Sequence, residues 1–210
     1  MYPTGKSPRP TLIQRFTAAL GLALAAGAAW ANPPTPSDQR AQELMKTLAL
    51  HYLEGESGYL NSIEVSQLAV EVAGRKLQAH DSVYYMLTRE APVNYLHWLE
   101  CDDVHILLEG GPVDYFIFHS DGKVEKKTLG RDLAAGQVLV VSIPASCWKA
   151  LQLHPGSGYA LMANVLTPQW TKDRVKIGAG REFLKSYTGH SQWATEAFLR
   201  ELIGPNFRQP

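Results

Sequence analysis

The amino-acid sequence predicts an all-β sandwich or barrel with a short helix at each end. Three observations carry this. Seven short apolar or alternating runs follow one another between Tyr59 and Leu166, turn signals separate them, and helical spacing appears only before and after that region. The first helix is read from "SDQRAQELMKTLAL", where Ser37 or Asp38 is the expected N-cap and Ala41, Leu44, Met45 and Leu48 fall on one face. The strand-like runs are "SVYYMLT", "VHILLEG", "VDYFIFH", "KVEKKTL", "QVLVVSI", "WKALQL" and "YALMANVL". Asp121-Gly122 in "HSDGKV" has the chemistry of a tight hairpin turn. The tail, "WATEAFLREL", returns to helical spacing. No internal repeat, low-complexity tract or second domain interrupts the pattern.

The N-terminus has a different texture. Lys6, Arg9 and Arg15 precede the uncharged run "FTAALGLALAAGAAWA", which closes on Ala29-Trp30-Ala31 and is followed by Pro33, Pro34 and Pro36. A basic start, a short apolar stretch and small residues at its end form the pattern of a secretory signal peptide. The run is shorter than the roughly twenty apolar residues a membrane span needs. The expected organisation is therefore a signal peptide over residues 1–31, a proline-rich spacer over 32–40 and a single domain over 41–203. The expected location is the periplasm or the exterior, with no stable membrane anchor after processing.

Twenty Lys and Arg balance twenty Asp and Glu. Setting aside the three cations of the leader leaves seventeen against twenty acids, a net charge of −3. No basic patch marks a DNA or RNA partner, so nucleic acid is excluded as an expected ligand.

Two stretches then become recognisable together. "HWLECDDVHILLEGGP", followed about two dozen residues later by "GQVLVVSIPASCWKALQL", resembles the paired motifs of a cupin, a small jelly roll. The fuller resemblance is to the fifth cupin family, a domain of unknown function. It runs over roughly residues 50–187 through "ESGYLNS", "SVYYMLT", "HSDGKVEKKTLGRDLAAGQ", "IPASCW" and "GYALMANVLTP" in order. The resemblance implies a homodimer. It does not imply a reaction, because fold alone does not fix chemistry.

In metal-binding cupins the first motif supplies His, a second His two residues later and a Glu further on, and the second motif supplies a last His. Those places here hold His97, Leu99, Asp103 and Lys149. Leu99 cannot ligate, and the ammonium of Lys149 would repel a cation and pair with Asp103 instead. No cofactor is therefore expected. The alternative is a divalent metal such as Fe, Mn or Zn held by His97, Asp103 and His105, because alternation along a strand turns Asp103 and His105 to the same side.

The remaining candidates border these positions. Tyr84 and Tyr85 match an aromatic pair of the family, and one of them faces inward by alternation. Trp98 and Trp148 flank His97 and Lys149 and are expected to wall the pocket or the core. Asn61 stands where the family carries Arg. His51, His80, His119, His154 and His190 lack ligand spacing. Cys101 and Cys147 fall in the turns of the two motifs, where either a disulfide or two free thiols would fit an exported protein.

The expected function is an exported cupin-fold protein binding a small polar ligand, sugar-like or carboxylate, with an isomerase or epimerase activity in view. His97 or Lys149 would serve as base, Tyr84 or Tyr85 as acid, and Asp103, His105, Trp98 and Trp148 would bind the ligand. The alternatives are a metal-dependent oxygenase or lyase, and a binding module without catalysis.

Overall fold

The computed structural model describes residues 35–209. The signal peptide expected over residues 1–31 lies outside the described residues. In chain order the regular elements are helix α1 (Pro36–Thr47) and strands β1 (His51–Tyr52), β2 (Tyr59–Val65), β3 (Ala69–Val72), β4 (Arg75–Gln78), β5 (Asp81–Thr88), β6 (Val93–Leu99), β7 (Asp102–Gly110), β8 (Val113–Phe118), β9 (Val124–Leu129), β10 (Val140–Ile143), β11 (Trp148–Leu153), β12 (Tyr159–Thr167) and β13 (Val175–Ile177). Helices α2 (Arg181–Tyr187) and α3 (Glu196–Ile203) close the chain.

The strands form two facing antiparallel sheets, one ordered β1-β2-β5-β12-β7-β10 and the other β13-β6-β11-β8-β9, with β3 and β4 as a separate hairpin. The stretch around the first motif is not one strand. It bends at Glu100-Cys101, so that β6 lies in one sheet and β7 in the other. That bend sets His97 opposite Asp103.

Alternation gives each sheet an inner and an outer face. Leu87, Leu107, Tyr115, Ile117, Leu151 and Met162 fill the space between the sheets. The outer face of the five-stranded sheet is covered by α2 and α3, where Leu96, Phe116 and Phe118 meet Phe183, Leu199 and Ile203. Helix α1 covers part of the other sheet through Ala41 and Leu44 against Met86 and Leu161.

Helix α1 begins earlier than its sequence pattern predicts. Thr35 is the N-cap, Pro36 takes the first turn, and Asp38 completes a capping box with the Thr35 backbone N–H (2.8 Å). Residues 36–40, read as spacer, are thus helical, since a proline at the first helical position starts a helix as readily as it extends a linker. At the other end, the backbone of Arg208 bridges Gly180, carrying ordered structure past residue 203. Among the described residues no helix is long and apolar enough to cross a membrane.

Candidate functional site: a cavity between the sheets

A cavity of about 260 Å³ opens between the two sheets, with Leu53, Leu60, Val83, Leu99, Leu166 and Trp170 as its apolar walls. The polar lining comes from Glu56, Asp81, Asn94, His97, Asp103, His105, Lys149 and Asn164. Strand register explains the convergence. His97 on β6 lies beside Lys149 on β11, and His105 on β7 lies beside Asn164 on β12. The two pairs face one another across the sandwich. A register shift sets two residues of β6, Tyr95 and Leu96, against one of β11, Ala150, between the His97 and Asn94 pairs, and this bulge lets Asn94 also point inward.

One group of side chains is closed upon itself. Lys149 and Asp103 form an ion pair between the sheets, with both side chains almost fully buried. Asp103 Oδ2 also accepts from His105 Nε2–H at 2.7 Å. The other nitrogen of that ring, Nδ1, accepts from the Tyr115 hydroxyl at 2.8 Å. Burial alone would push the Asp103 carboxyl up, but His105 and Lys149 override it and hold the group below the ordinary carboxylate range. Burial lowers the pKa of His105 despite the neighbouring carboxylate, so the ring is a neutral donor. Asn164 Nδ2 lies 3.0 Å from the same nitrogen, and its Oδ1 is buried without a partner.

The second group is open. His97 Nδ1 faces the Tyr95 carbonyl at 2.8 Å and must donate to it, which leaves Nε2 as a bare acceptor. Burial lowers the pKa of His97, with Lys149 adding to the effect and Glu56 opposing it. The Glu56 carboxylate stands 3.6 Å from Nε2. Its loop is tied down from three sides: the Glu56 carbonyl accepts from Tyr95 N–H (2.7 Å) and Asn94 Nδ2 (3.2 Å), and the Ser57 carbonyl accepts from the Tyr85 hydroxyl (2.7 Å). Ser57 and Gly58 both have positive φ, and a Cβ on Gly58 would collide with the Tyr85 hydroxyl.

The alternative metal set, His97, Asp103 and His105, does not fit this arrangement. Among the described residues no group of three or more His, Cys, Asp or Glu side chains converges on a metal-binding geometry. His105 has both ring nitrogens engaged, and the Lys149 ammonium sits on the carboxylate that a metal would need. The local chemistry is that of an ion pair and not of a coordination sphere.

Placement separates the remaining candidates. Tyr85 faces the cavity, but its hydroxyl is committed to Ser57, and burial raises its pKa well above the ordinary value. Tyr84 points to the opposite face and packs with the α1 cluster. Trp98 and Trp148 are cross-strand partners on the outer face of the five-stranded sheet, away from the cavity. Lys176 lies over Trp98 at 4.0 Å, and Trp148 packs on Phe183. Asn61 hydrogen-bonds the Leu48 carbonyl and does not line the cavity. His51, His80, His119, His154 and His190 are likewise outside it. Cys101 and Cys147 are both free and buried; Cys101 packs with Leu99 and Leu166, while the Cys147 sulfur lies 3.5 Å from His119 Nδ1. The disulfide alternative is not formed.

Glu56, Asp81, Asn94, Tyr115, Asn164 and Trp170 were not singled out from sequence. Asn164 and Tyr115 reach His105 only through β12 and β8, so their roles depend on long-range register. Glu56 comes from an irregular loop that no periodicity places. Trp98 and Trp148, expected to bind the ligand, turn outward because each is the immediate neighbour of an inward residue.

Two motif-bearing sheets closed around an internal cavity define a cupin-type jelly roll. The chain belongs to the cupin superfamily, in the family Cupin_5 (DUF985), whose model matches residues 42–177. The chain is 28% identical over 120 residues to the uncharacterized protein YML079W of Saccharomyces cerevisiae, a match covering 56% of this chain and 59% of that relative. Among solved structures it is similar to a hypothetical protein from Leishmania major, with a TM-score of 0.69 and 20% identity over 77% of this chain and 97% of that one. A similar likeness holds to protein SO0799 from Shewanella oneidensis, with a TM-score of 0.68 and 24% identity over 79% of this chain and 98% of that one. At these identities the structural matches speak for the fold alone.

Proposed function

We propose that the protein is an exported cupin that binds a small polar, sugar-like ligand between its sheets and acts on it as an isomerase or epimerase, with His97 as the base. The observation that supports this reading is the tautomer of His97. Nδ1–H is held by the Tyr95 carbonyl, and Nε2 is left bare in the cavity on a ring that burial keeps neutral. In the proposed step, Nε2 takes a proton from the carbon beside a ligand carbonyl. The electron pair moves to the carbonyl oxygen, where Lys149 supplies positive charge; for isomerisation the adjoining hydroxyl gives its proton to that oxygen and His97 returns its proton to the neighbouring carbon, and for epimerisation a solvent proton adds on the opposite face while His97 passes its proton to solvent. Lys149 is a less suitable base than His97 because it is already paired with Asp103. Neither tyrosine is a free acid: Tyr84 is outside the cavity, and the Tyr85 hydroxyl is committed to Ser57.

The cavity lies just below the roughly 300–1,000 Å³ of pockets for drug-sized ligands, which suits a monosaccharide. Incubation with aldoses and ketoses in heavy water, followed by NMR, tests the chemistry. Deuterium should enter the carbon beside the carbonyl with the unaltered protein and not with His97→Gln. Saturable binding without deuterium entry would leave a binding module in place of an enzyme.

Export rests on the leader pattern of residues 1–31, and N-terminal sequencing of secreted protein should begin at Asn32. A homodimer is supported by the apolar side chains of Ile106, Leu108, Leu139 and Val140, all exposed at the β7-β10 edge of the six-stranded sheet. A monomeric mass by light scattering would exclude it.

A further inference from the structure

We infer that the ligand carries a protonated amine recognised by Glu56 beside His97, with Asp81 accepting from a hydroxyl further along: the cavity is built for an amino sugar or a related hydroxylated amine and not for a carboxylate. This inference rests on the ligand-binding reading of the same cavity. It follows from a count of hydrogen-bond donors against acceptors. Three carboxylates, from Glu56, Asp81 and Asp103, line the cavity beside one ammonium, that of Lys149. The ammonium is engaged by Asp103, so it offsets the charge nearest to it and leaves the other two carboxylates uncompensated.

The acceptors also lack donors. Asp103 Oδ1 and Asp81 Oδ1 are buried with no hydrogen-bond partner, on residues whose other oxygens are held by Lys149 and by Trp170 N–H (3.1 Å). A buried acceptor without a donor is costly, and native structures rarely keep one unless something else satisfies it. His97 Nε2 and Glu56 Oε2 add two acceptors that face each other at the cavity. With Nδ1–H committed to Tyr95, neither atom carries a hydrogen for the other across 3.6 Å. A group with several N–H bonds satisfies both at once, whereas a carboxylate would place a third acceptor between them.

The dispersal of these acceptors distinguishes an organic amine from a metal ion. They come from the loop before β2, from the start of β5 and from β6 and β7, and they do not converge on one point. A ligand with an ammonium at one end and hydroxyls along its length reaches them in sequence, with Trp170 among the apolar walls.

The test uses calorimetric titration of the full chain at neutral pH with three probes of one size: D-glucosamine, D-glucose and D-glucuronate. Glucosamine should bind at least about tenfold more tightly than glucose, and glucuronate more weakly than either. Equal or tighter binding of glucose or glucuronate overturns the amine inference while leaving a sugar-binding cavity in place. Failure of all three to bind overturns both. Glu56→Gln supplies an independent readout, because the introduced amide can donate to His97 Nε2. Its thermal unfolding temperature should be unchanged or higher than that of the unaltered protein, while the preference for glucosamine over glucose falls by at least about fivefold. A variant that loses stability, or keeps the full preference, assigns Glu56 a structural role and sinks its part in recognition.

Discussion

Around Asp103, all but one carboxylate oxygen is answered from within the protein: Lys149 neutralises the charge, His105 donates to Oδ2, Tyr115 fixes the far side of that ring, and only Oδ1 lacks a donor. Around His97, on the facing strand, two acceptors confront each other with no hydrogen between them. Both clusters combine a histidine with an acid in the same buried cavity, so residue type does not separate them. The difference lies in where the protons are. A histidine whose two nitrogens are both engaged serves the fold; one whose free nitrogen faces an acceptor leaves that nitrogen open to the cavity.

The sharpest way to break this contrast is to open the closed cluster. Asp103→Ala leaves the Lys149 ammonium buried without a counter-charge, which should destabilise the protein by about 3–5 kcal/mol in urea unfolding. Adding Lys149→Met to that variant should recover most of the loss. A single variant that unfolds like the original would mean that the pair contributes nothing to stability.

A second effect comes from pH. The pKa values of His97 and His105 are both lowered from 6.5 by burial, so below that pH the unfolded chain binds protons that the folded one refuses. Stability is then fully present above about 6.5 and falls as pH drops toward the folded-state values. The slope is up to about 1.4 kcal/mol per pH unit for each histidine. Urea midpoints measured from neutral to mildly acidic pH should show this, and His97→Gln should reduce the slope by one proton. The depressed Asp103 carboxyl acts in the same direction at lower pH: its stabilisation is present above the ordinary carboxylate range and disappears in stronger acid.

The smallest effect expected is from Tyr115→Phe, which removes the hydroxyl donating to His105 Nδ1 and leaves that nitrogen buried and unpaired. A loss of about 1–3 kcal/mol should follow. Deuterium entry at the ligand, which depends on His97, should persist in this variant.

Much of the architecture was legible because strand alternation is a local signal. The runs read from "SVYYMLT" to "YALMANVL" became β5 and β7 to β12, and the inward positions of His97, Asp103, His105 and Lys149 agree with motif spacing and parity. The same parity turns Trp98, Trp148 and Tyr84 outward, a consequence that proximity to the motifs obscured. Thr35 was hidden as a cap because Pro36 behind it reads equally well as linker. Helix α2 spans only seven residues, too few to show a periodic face. Glu56 was illegible for a different reason: its position depends on contacts with Tyr85 of β5 and Asn94 of β6, far along the chain, and on a left-handed Ser57, a conformation that its residue type does not announce.

The insertion of β12 between β5 and β7 has a consequence for the order of folding. Until residues 159–167 are in place, the six-stranded sheet is two unjoined pieces, β1-β2-β5 on one side and β7-β10 on the other, each with an unpaired edge. The central strand of the sheet is thus the last of its strands in the chain, and its pairing with β5 spans more than seventy residues. Such distant closure belongs to the slow end of single-domain folding, on the order of milliseconds to seconds. Asn164 and Leu166 ride on β12, so the cavity between the sheets stays incomplete until that strand is in place.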